Sequence, residues 1–123
     1  MAENIKISSI IIARDEEANI ALCIKSQRDV VDDIVVLVDS RTTDMTKQIA
    51  LSFQNVNCEI VELKGYAGTK IYALSKTKYE WVLWIDADER ITPELAEELK
   101  QFKKSKPCSN AYNVARRAFF LGK

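Results

Sequence analysis

The chain has 123 residues, 47% of them apolar, and balances 18 Lys+Arg against 18 Asp+Glu. That length suits one domain, or a piece of one, that hides roughly two thirds of its unfolded surface without disulfide or metal staples. Balanced charge excludes the basic footprint of a dedicated nucleic-acid binder and the acidic excess of a disordered tail. Three Gly and two Pro leave no room for a flexible linker.

Ile7 to Ala13 is an almost unbroken β-branched run and opens the chain as a strand. Ile20, Cys23, Ile24 and Gln27 then recur at helical spacing, with Asp15 placed to cap and Glu16 and Glu17 in the first turn. Ile34 to Val38 is the second strand. Thr43 is placed to cap a helix whose inner face is Met45, Ile49, Ala50 and Phe53. Cys58 to Leu63 is the third strand, Gly68 to Lys76 a shorter helix, and Trp81 to Ile85 the fourth strand. Thr92-Pro93-Glu94 is a cap followed by Pro at the first helical position, ahead of an inner face of Leu95, Leu99 and Phe102. A fifth strand is predicted within Asn110 to Phe120.

Continuous apolar strands alternating with helices predict a Rossmann-like α/β fold: an open, mainly parallel sheet with helices on both faces. Such sheets bind ligands beyond the carboxyl ends of their strands, where strand order reverses. With no His in the chain, chemistry there must rest on carboxylates, hydroxyls, Lys and Arg. Cys23, Cys58 and Cys108 are odd in number and far apart, as suits reduced thiols. Met1 to Asn4 does not begin a secretory signal and no apolar run nears the length of a membrane span, so a cytoplasmic location is expected.

Asp86-Ala87-Asp88 follows the fourth strand, and two carboxylates two residues apart suit Mg²⁺ or Mn²⁺, which take one or two carboxylates with phosphate oxygens completing the shell. A solvated turn leading to the Thr92 cap is the other account of the same pair. Asp39, directly after the second strand, can accept from the N–H edge of a base or from a ribose hydroxyl, while Thr43 and Asp44 are what a helix start needs anyway. Gly65-Tyr66-Ala67-Gly68-Thr69-Lys70 could cradle phosphate at a helix start, but lacks the P-loop spacing and equally suits a plain loop with a capping Gly.

Together, residues 11–20 (IIARDEEANI), 34–46 (IVVLVDSRTTDMT), 65–74 (GYAGTKIYAL) and 81–89 (WVLWIDADE) resemble the family 2 glycosyltransferases of GT-A fold. Within that family the chain is most similar to the bacterial subgroup that includes lipopolysaccharide-core glucosyltransferases, and 115–123 resembles the segment that follows there. The resemblance implies an inverting transfer from a nucleotide-diphospho-sugar, a UDP-sugar favoured, to a saccharide or lipid-linked acceptor. By it, Ala13, Arg14 and Glu16 line the nucleoside pocket, Asp39 and Ser40 approach the base, and Lys70 faces the ribose or diphosphate. Asp86 supports the ribose or the metal shell, and Asp88 ligates Mn²⁺ or Mg²⁺ bridging the diphosphate.

Three places depart from the family pattern. Asp15 stands where the family usually has Asn, Ile71 where Asn is common, and Arg41-Thr42 where Gly-Ser is customary. The last predicts strain if position 41 needs positive φ. The family's general base lies in an acceptor half beyond position 123, and from Lys100 onward the chain has no acidic residue. Residues 1–123 are therefore expected to be a single donor-binding domain, incomplete at its C-terminus. The basic end, with Lys106, Arg116, Arg117, Lys123, Phe119 and Phe120, suits either peripheral contact with an anionic membrane or a solvated face beside an unfinished sheet. Two rival accounts are a receiver-like signalling domain and a non-catalytic module that oligomerises through an exposed sheet edge.

Overall fold

The computed structural model describes residues 6–62, 66–79, 81–104, 111–115 and 118–122. Leu63, Gly65, Lys106, Cys108, Asn110, Arg116, Arg117 and Lys123, named above, lie outside the described residues, as do Met1 to Asn4. Strand and helix alternate as β1 (Ile7–Ala13), α1 (Ile20–Gln27), β2 (Asp33–Asp39), α2 (Thr46–Leu51), β3 (Val56–Val61), α3 (Tyr66–Lys76), β4 (Trp81–Asp86) and α4 (Pro93–Lys103), followed by β5 (Ala111–Ala115) and β6 (Ala118–Gly122).

The six strands form one sheet in the order β3-β2-β1-β4-β6-β5. The first four are parallel, while β6 runs antiparallel to β4 and to β5. The chain thus builds outward from β1 through β2 to β3 and then crosses to the other side of β1 to place β4. That reversal opens a crevice at the carboxyl ends of β1 and β4. A receiver-like sheet would carry its third strand beside the first, in the order 2-1-3-4. Here β3 is the outer neighbour of β2, so that account does not hold.

Alternation along the strands sorts the interior into two layers. Ile7, Ile11 and Ala13 of β1, Ile34, Val36 and Val38 of β2, and Leu83 and Ile85 of β4 join Ile20, Cys23 and Ile24 of α1, Ala50 of α2, and Leu95, Leu99 and Phe102 of α4. Ile10, Val35, Leu37 and Val82 pack with Ala73 of α3 on the other face. Trp81 meets Phe102 edge-on, ring centroids 4.9 Å apart. At the amino ends, Ser8 donates to the buried Asp33 at 2.8 Å, and the Lys78 N–H donates to the same carboxylate at 3.0 Å. Lys103 donates to the Val30 carbonyl and pairs with Asp32, tying the end of α4 to the start of β2.

Several local expectations change. β3 was expected to be buried on both faces, but as an edge strand it is only half-buried, with Ile60 43% exposed. The predicted fifth strand is a pair of short antiparallel strands with a register shift between Tyr112 and Ala115. α1 begins at Ile20 rather than beside Asp15, because Asp15 adopts φ 51° and Glu16 to Asn19 form a turn in which the Asn19 and Ile20 N–H groups donate to the Glu16 carbonyl. Thr43 does not cap α2. Asp44 accepts the Thr46 N–H at 2.9 Å just ahead of that helix, and Met45, expected on the inner face, is half exposed. Arg41 is absent from the positive-φ residues, so the strain expected there does not arise. Among the described residues, no helix is long and apolar enough to cross a membrane.

The α4 start follows its sequence signal closely: Thr92 is extended at ψ 162°, its side chain accepts the Leu95 N–H at 3.1 Å, and Pro93 occupies the first turn. Thr92→Ala is expected to cost about 1 kcal/mol. Leu99→Ala, at a fully buried position, is expected to cost about 2–5 kcal/mol. Both should lower the urea midpoint at constant m-value.

Candidate functional site

β4 delivers an acidic cluster. Its odd positions, Trp81, Leu83 and Ile85, face the α1 and α4 layer, whereas Val82 and Trp84 face α3. The alternation carries past the strand end: Ala87 is buried in the α1 layer while Asp86 and Asp88 are exposed. A turn then closes, with the Glu89 N–H donating to the Asp86 carbonyl at 2.9 Å. One carboxylate oxygen from each of Asp86, Asp88 and Glu89 lies within 4.8 Å of the others. This is an all-oxygen donor set of the kind hard divalent cations prefer. Asp86 and Asp88 converge as the sequence suggests. Glu89 was missed, although its spacing of three from Asp86 is that of a tight turn.

The cluster is hung on α1 at both ends. Cys23 Sγ donates to the Asp86 carbonyl at 3.5 Å, and the Ile91 N–H donates to Ser26 Oγ at 2.9 Å. Behind Cys23, Gln27 Nε2 donates to the Cys23 carbonyl at 3.2 Å, and Ser9 of β1 donates to Gln27 Oε1. Burial pushes the Cys23 thiol up to about 12, a hydrogen bond from Gln27 opposes this, and the negative charges of Asp88, Asp86 and Glu89 add to it. The thiol therefore stays protonated and keeps its donor through the neutral range.

The ends of β1 and β2 supply the second half. Ala13 pairs with Val38, and Asp39 stands one step beyond, opposite Val61 of β3. Ala13 buries its methyl on the α1 side, so it offers the strand end only backbone. Asp39 alternates to the α3 face, the same face as Asp86. Its side chain is fully buried, with Arg41 Nη2 donating to Oδ2 at 2.9 Å, Arg41 Nε to Oδ1 at 3.2 Å, and the Arg41 backbone N–H to Oδ1 at 3.0 Å. Arg14 Nε lies 4.0 Å from Oδ2. The Arg41 hydrogen bonds, side chain first, hold the Asp39 carboxyl below the usual carboxylate range. Ser40 is exposed beside it, its N–H donating to the Val61 carbonyl at 2.8 Å.

β1 lies between β2 and β4, so Asp39 and Asp86 are separated by two strand spacings, about 10 Å. Lys70 projects from α3 on that face, its Nζ 5.8 Å from the Trp84 ring centroid. Glu16 is half-buried and accepts from Asn19 Nδ2 at 3.1 Å. Thr42 Oγ1 and Trp84 Nε1 are buried without a hydrogen-bond partner among the described residues. Both lie within three residues of Asp39 or Asp86 and retain hydrogen-bonding capacity.

Asp15, expected as a helix cap, instead joins two loops. Its Oδ1 accepts the Thr43 N–H at 2.8 Å, the Glu16 N–H donates to Thr46 Oγ1 at 2.8 Å, and the Glu17 N–H donates to Asp44 Oδ2 at 3.1 Å. The Met45 N–H returns a bond to Glu17 Oε2 at 3.1 Å. These acids therefore hold the loops after β1 and β2 against one another.

A mainly parallel sheet in this order, with an acidic turn at its reversal point, is the Rossmann-like α/β fold of the GT-A glycosyltransferases. Residues 8–119 match the glycosyl transferase family 2 profile, and the chain belongs to that family. It is 32% identical over 126 residues to the lipopolysaccharide core biosynthesis glycosyltransferase LpsC of Rhizobium meliloti, covering 99% of this chain and 46% of LpsC. The mannosyltransferase PcManGT of Pyrobaculum calidifontis, solved with GDP-Man and Mn²⁺, superposes with a TM-score of 0.70 at 19% identity, covering 99% of this chain and 45% of that one. Glucosyl-3-phosphoglycerate synthase of Mycobacterium tuberculosis, solved with Mn²⁺, UDP and phosphoglyceric acid, gives 0.57 at 25% identity, covering 76% and 38%. The chain spans about a third to just under half of the length of curated bacterial glycosyltransferases that it matches, LpsC among them.

Because the folded Asp39 value is depressed, its contribution to stability is complete above the unfolded carboxylate value, near pH 4. It is lost as pH falls through the lower folded value. Urea midpoints measured from pH 6 down to pH 2 should show an acid limb that is shallower in Asp39→Asn than in the wild type.

Proposed function

We propose that this chain is the nucleotide-diphospho-sugar-binding half of an inverting, metal-dependent glycosyltransferase that builds bacterial surface polysaccharide, lipopolysaccharide being the favoured setting. The observation that carries this is the oxygen triad of Asp86, Asp88 and Glu89 at the reversal point of the sheet, with Lys70 over Trp84, two residues before Asp86. LpsC supports the polysaccharide setting by its similarity over nearly the whole chain. The two solved relatives support a nucleotide donor with a divalent ion, since each was captured with Mn²⁺ beside a nucleoside diphosphate or its sugar.

In this reading Asp88 and Asp86, joined by Glu89, hold Mn²⁺ or Mg²⁺. The bound ion would supply electrostatic stabilisation to the departing diphosphate without proton transfer. Lys70 adds a positive charge over Trp84, where phosphate oxygens would lie. Ala13, Arg14, Glu16 and Ser40 frame the nucleoside with their strand-end loops. UDP-sugars are the favoured donors and a saccharide or lipid-linked molecule the acceptor. The attacking hydroxyl requires a general base, and we place it in an acceptor-side half outside these 123 residues. We further place the protein in the cytoplasm, at the inner face of the membrane when it meets a lipid-linked acceptor.

Calorimetric titration tests this directly. UDP should bind roughly tenfold or more tightly with Mn²⁺ than without. Asp88→Ala should abolish that difference, and Glu89→Gln should reduce it. Metal-independent binding, or no binding by the folded chain, overturns the proposal. Sugar transfer by residues 1–123 alone should be negligible in a radiolabelled donor assay, and robust transfer would show that the base is within them.

A further inference from the structure

Asp39 is placed to accept from a base, yet its oxygens are already engaged. Oδ1 accepts two bonds from Arg41, through the backbone N–H at 3.0 Å and Nε at 3.2 Å, and Oδ2 accepts Arg41 Nη2 at 2.9 Å. Arg14 Nε stands 4.0 Å from Oδ2. A carboxylate offers about four acceptor positions, so three are filled and a second guanidinium lies beside the remainder. The Asp39 side chain is completely buried, whereas that of Arg41 is 60% exposed. What the strand end presents outward is therefore the guanidinium rather than the carboxylate.

The pairing is local and geometrically favoured. The Asp39 carbonyl accepts the Thr42 N–H at 2.9 Å, closing a turn over residues 39–42 that returns the Arg41 side chain onto Asp39. A planar guanidinium matches a carboxylate through two parallel bonds, which a Lys could not reproduce and a Gly would leave unmade. Two of its five N–H donors bond Asp39.

We propose that Arg41 is a specificity-determining residue of the donor site. Locked on Asp39, it occupies the position of a base's N–H donor, so the nucleobase is met by guanidinium N–H groups that suit a base carbonyl. The inference rests on the nucleotide-binding function proposed above. Its consequence is that this chain does not read the imide N–H of uracil. A bare Asp39 would read it through a charge-assisted bond.

The test compares UDP with its N3-methyl analogue, which lacks that N–H, by calorimetry with Mn²⁺ on the 123-residue chain. The wild type should bind the two within about threefold, because no bond to Asp39 is lost. In Arg41→Gly the freed carboxylate should accept the N–H, and methylation should cost about tenfold or more. Arg41→Ser serves if the glycine variant melts early, since it also removes the fork. A tenfold preference of the wild type for unmethylated UDP overturns the inference without any variant. So does a methylation penalty unchanged between the wild type and a folded Arg41 variant. Absence of binding by both nucleotides would instead remove the donor-binding function, and this inference with it.

Discussion

β1 is hydrogen-bonded in parallel to β2 on one side and β4 on the other, and the placement of Asp39 and Asp86 at the carboxyl edge depends on those two registers. Ile12 is level with Asp86 and Ala13 with Val38. Because side chains alternate with a period of two, these registers put Asp39 and Asp86 on the α3 face while sending Val38 and Ile85 into the α1 layer, where Ala87 is buried as well. A slip of one residue in β4 would bury the acids and expose Ile85 and Ala87. Burial of the apolar partners thus fixes where the carboxylates stand, and the charge needs no energetic contribution of its own to be positioned.

Around that frame, polar groups are spent on holding the edge rigid. Ser9, Gln27 and Cys23 form a buried chain from the middle of β1 to the Asp86 carbonyl, and Ser26 takes the Ile91 N–H on the far side of the turn. The acidic turn is therefore supported from beneath by the helix that follows β1. Three carboxylates in one cluster repel each other, and a turn free to relax would separate them. Anchoring its two ends resists that separation and keeps the oxygens convergent.

The alternation of strands and helices, the mainly parallel sheet and the convergence of Asp86 and Asp88 were legible because they follow from patterns of long range in the sequence, whereas the strand order was not. Apolar runs marked four strands, helical spacing marked the buried faces of α1 and α4, and Asp39, Asp86 and Asp88 stood out by following strands directly. What escaped was local geometry. Helix starts at Asp15 and Thr43 looked sound by residue type, but those side chains found partners in the opposite loop, and cap chemistry cannot reveal a contact 28 residues away. Glu89 joined the acidic pair through a turn rather than a pleat. Arg41 read only as a departure from a glycine pattern. Its fork onto Asp39 depends on the fold of residues 39–42, which the apolar pattern does not encode. β3 read as buried because its composition resembles that of β2, yet composition does not reveal which strand stands at the edge.

The reciprocal bonds between the loops after β1 and β2 have a consequence for how this edge can change. Asp15 with Thr43, Glu16 with Thr46, and Glu17 with both Asp44 and Met45 form one hydrogen-bonded unit drawn from two distant stretches of chain. Removing the side chain of Asp15, Glu17, Asp44 or Thr46 leaves a backbone N–H of the opposite loop without its acceptor. The side-chain acceptors are Asp15 and Glu17 in one loop and Asp44 and Thr46 in the other, each taking a backbone N–H of the opposite loop, so the joint depends on those four residue types while Thr43, Met45 and Glu16 enter it mainly through their backbone. Grafting either loop alone onto another member of the fold would carry half of an interlocking joint.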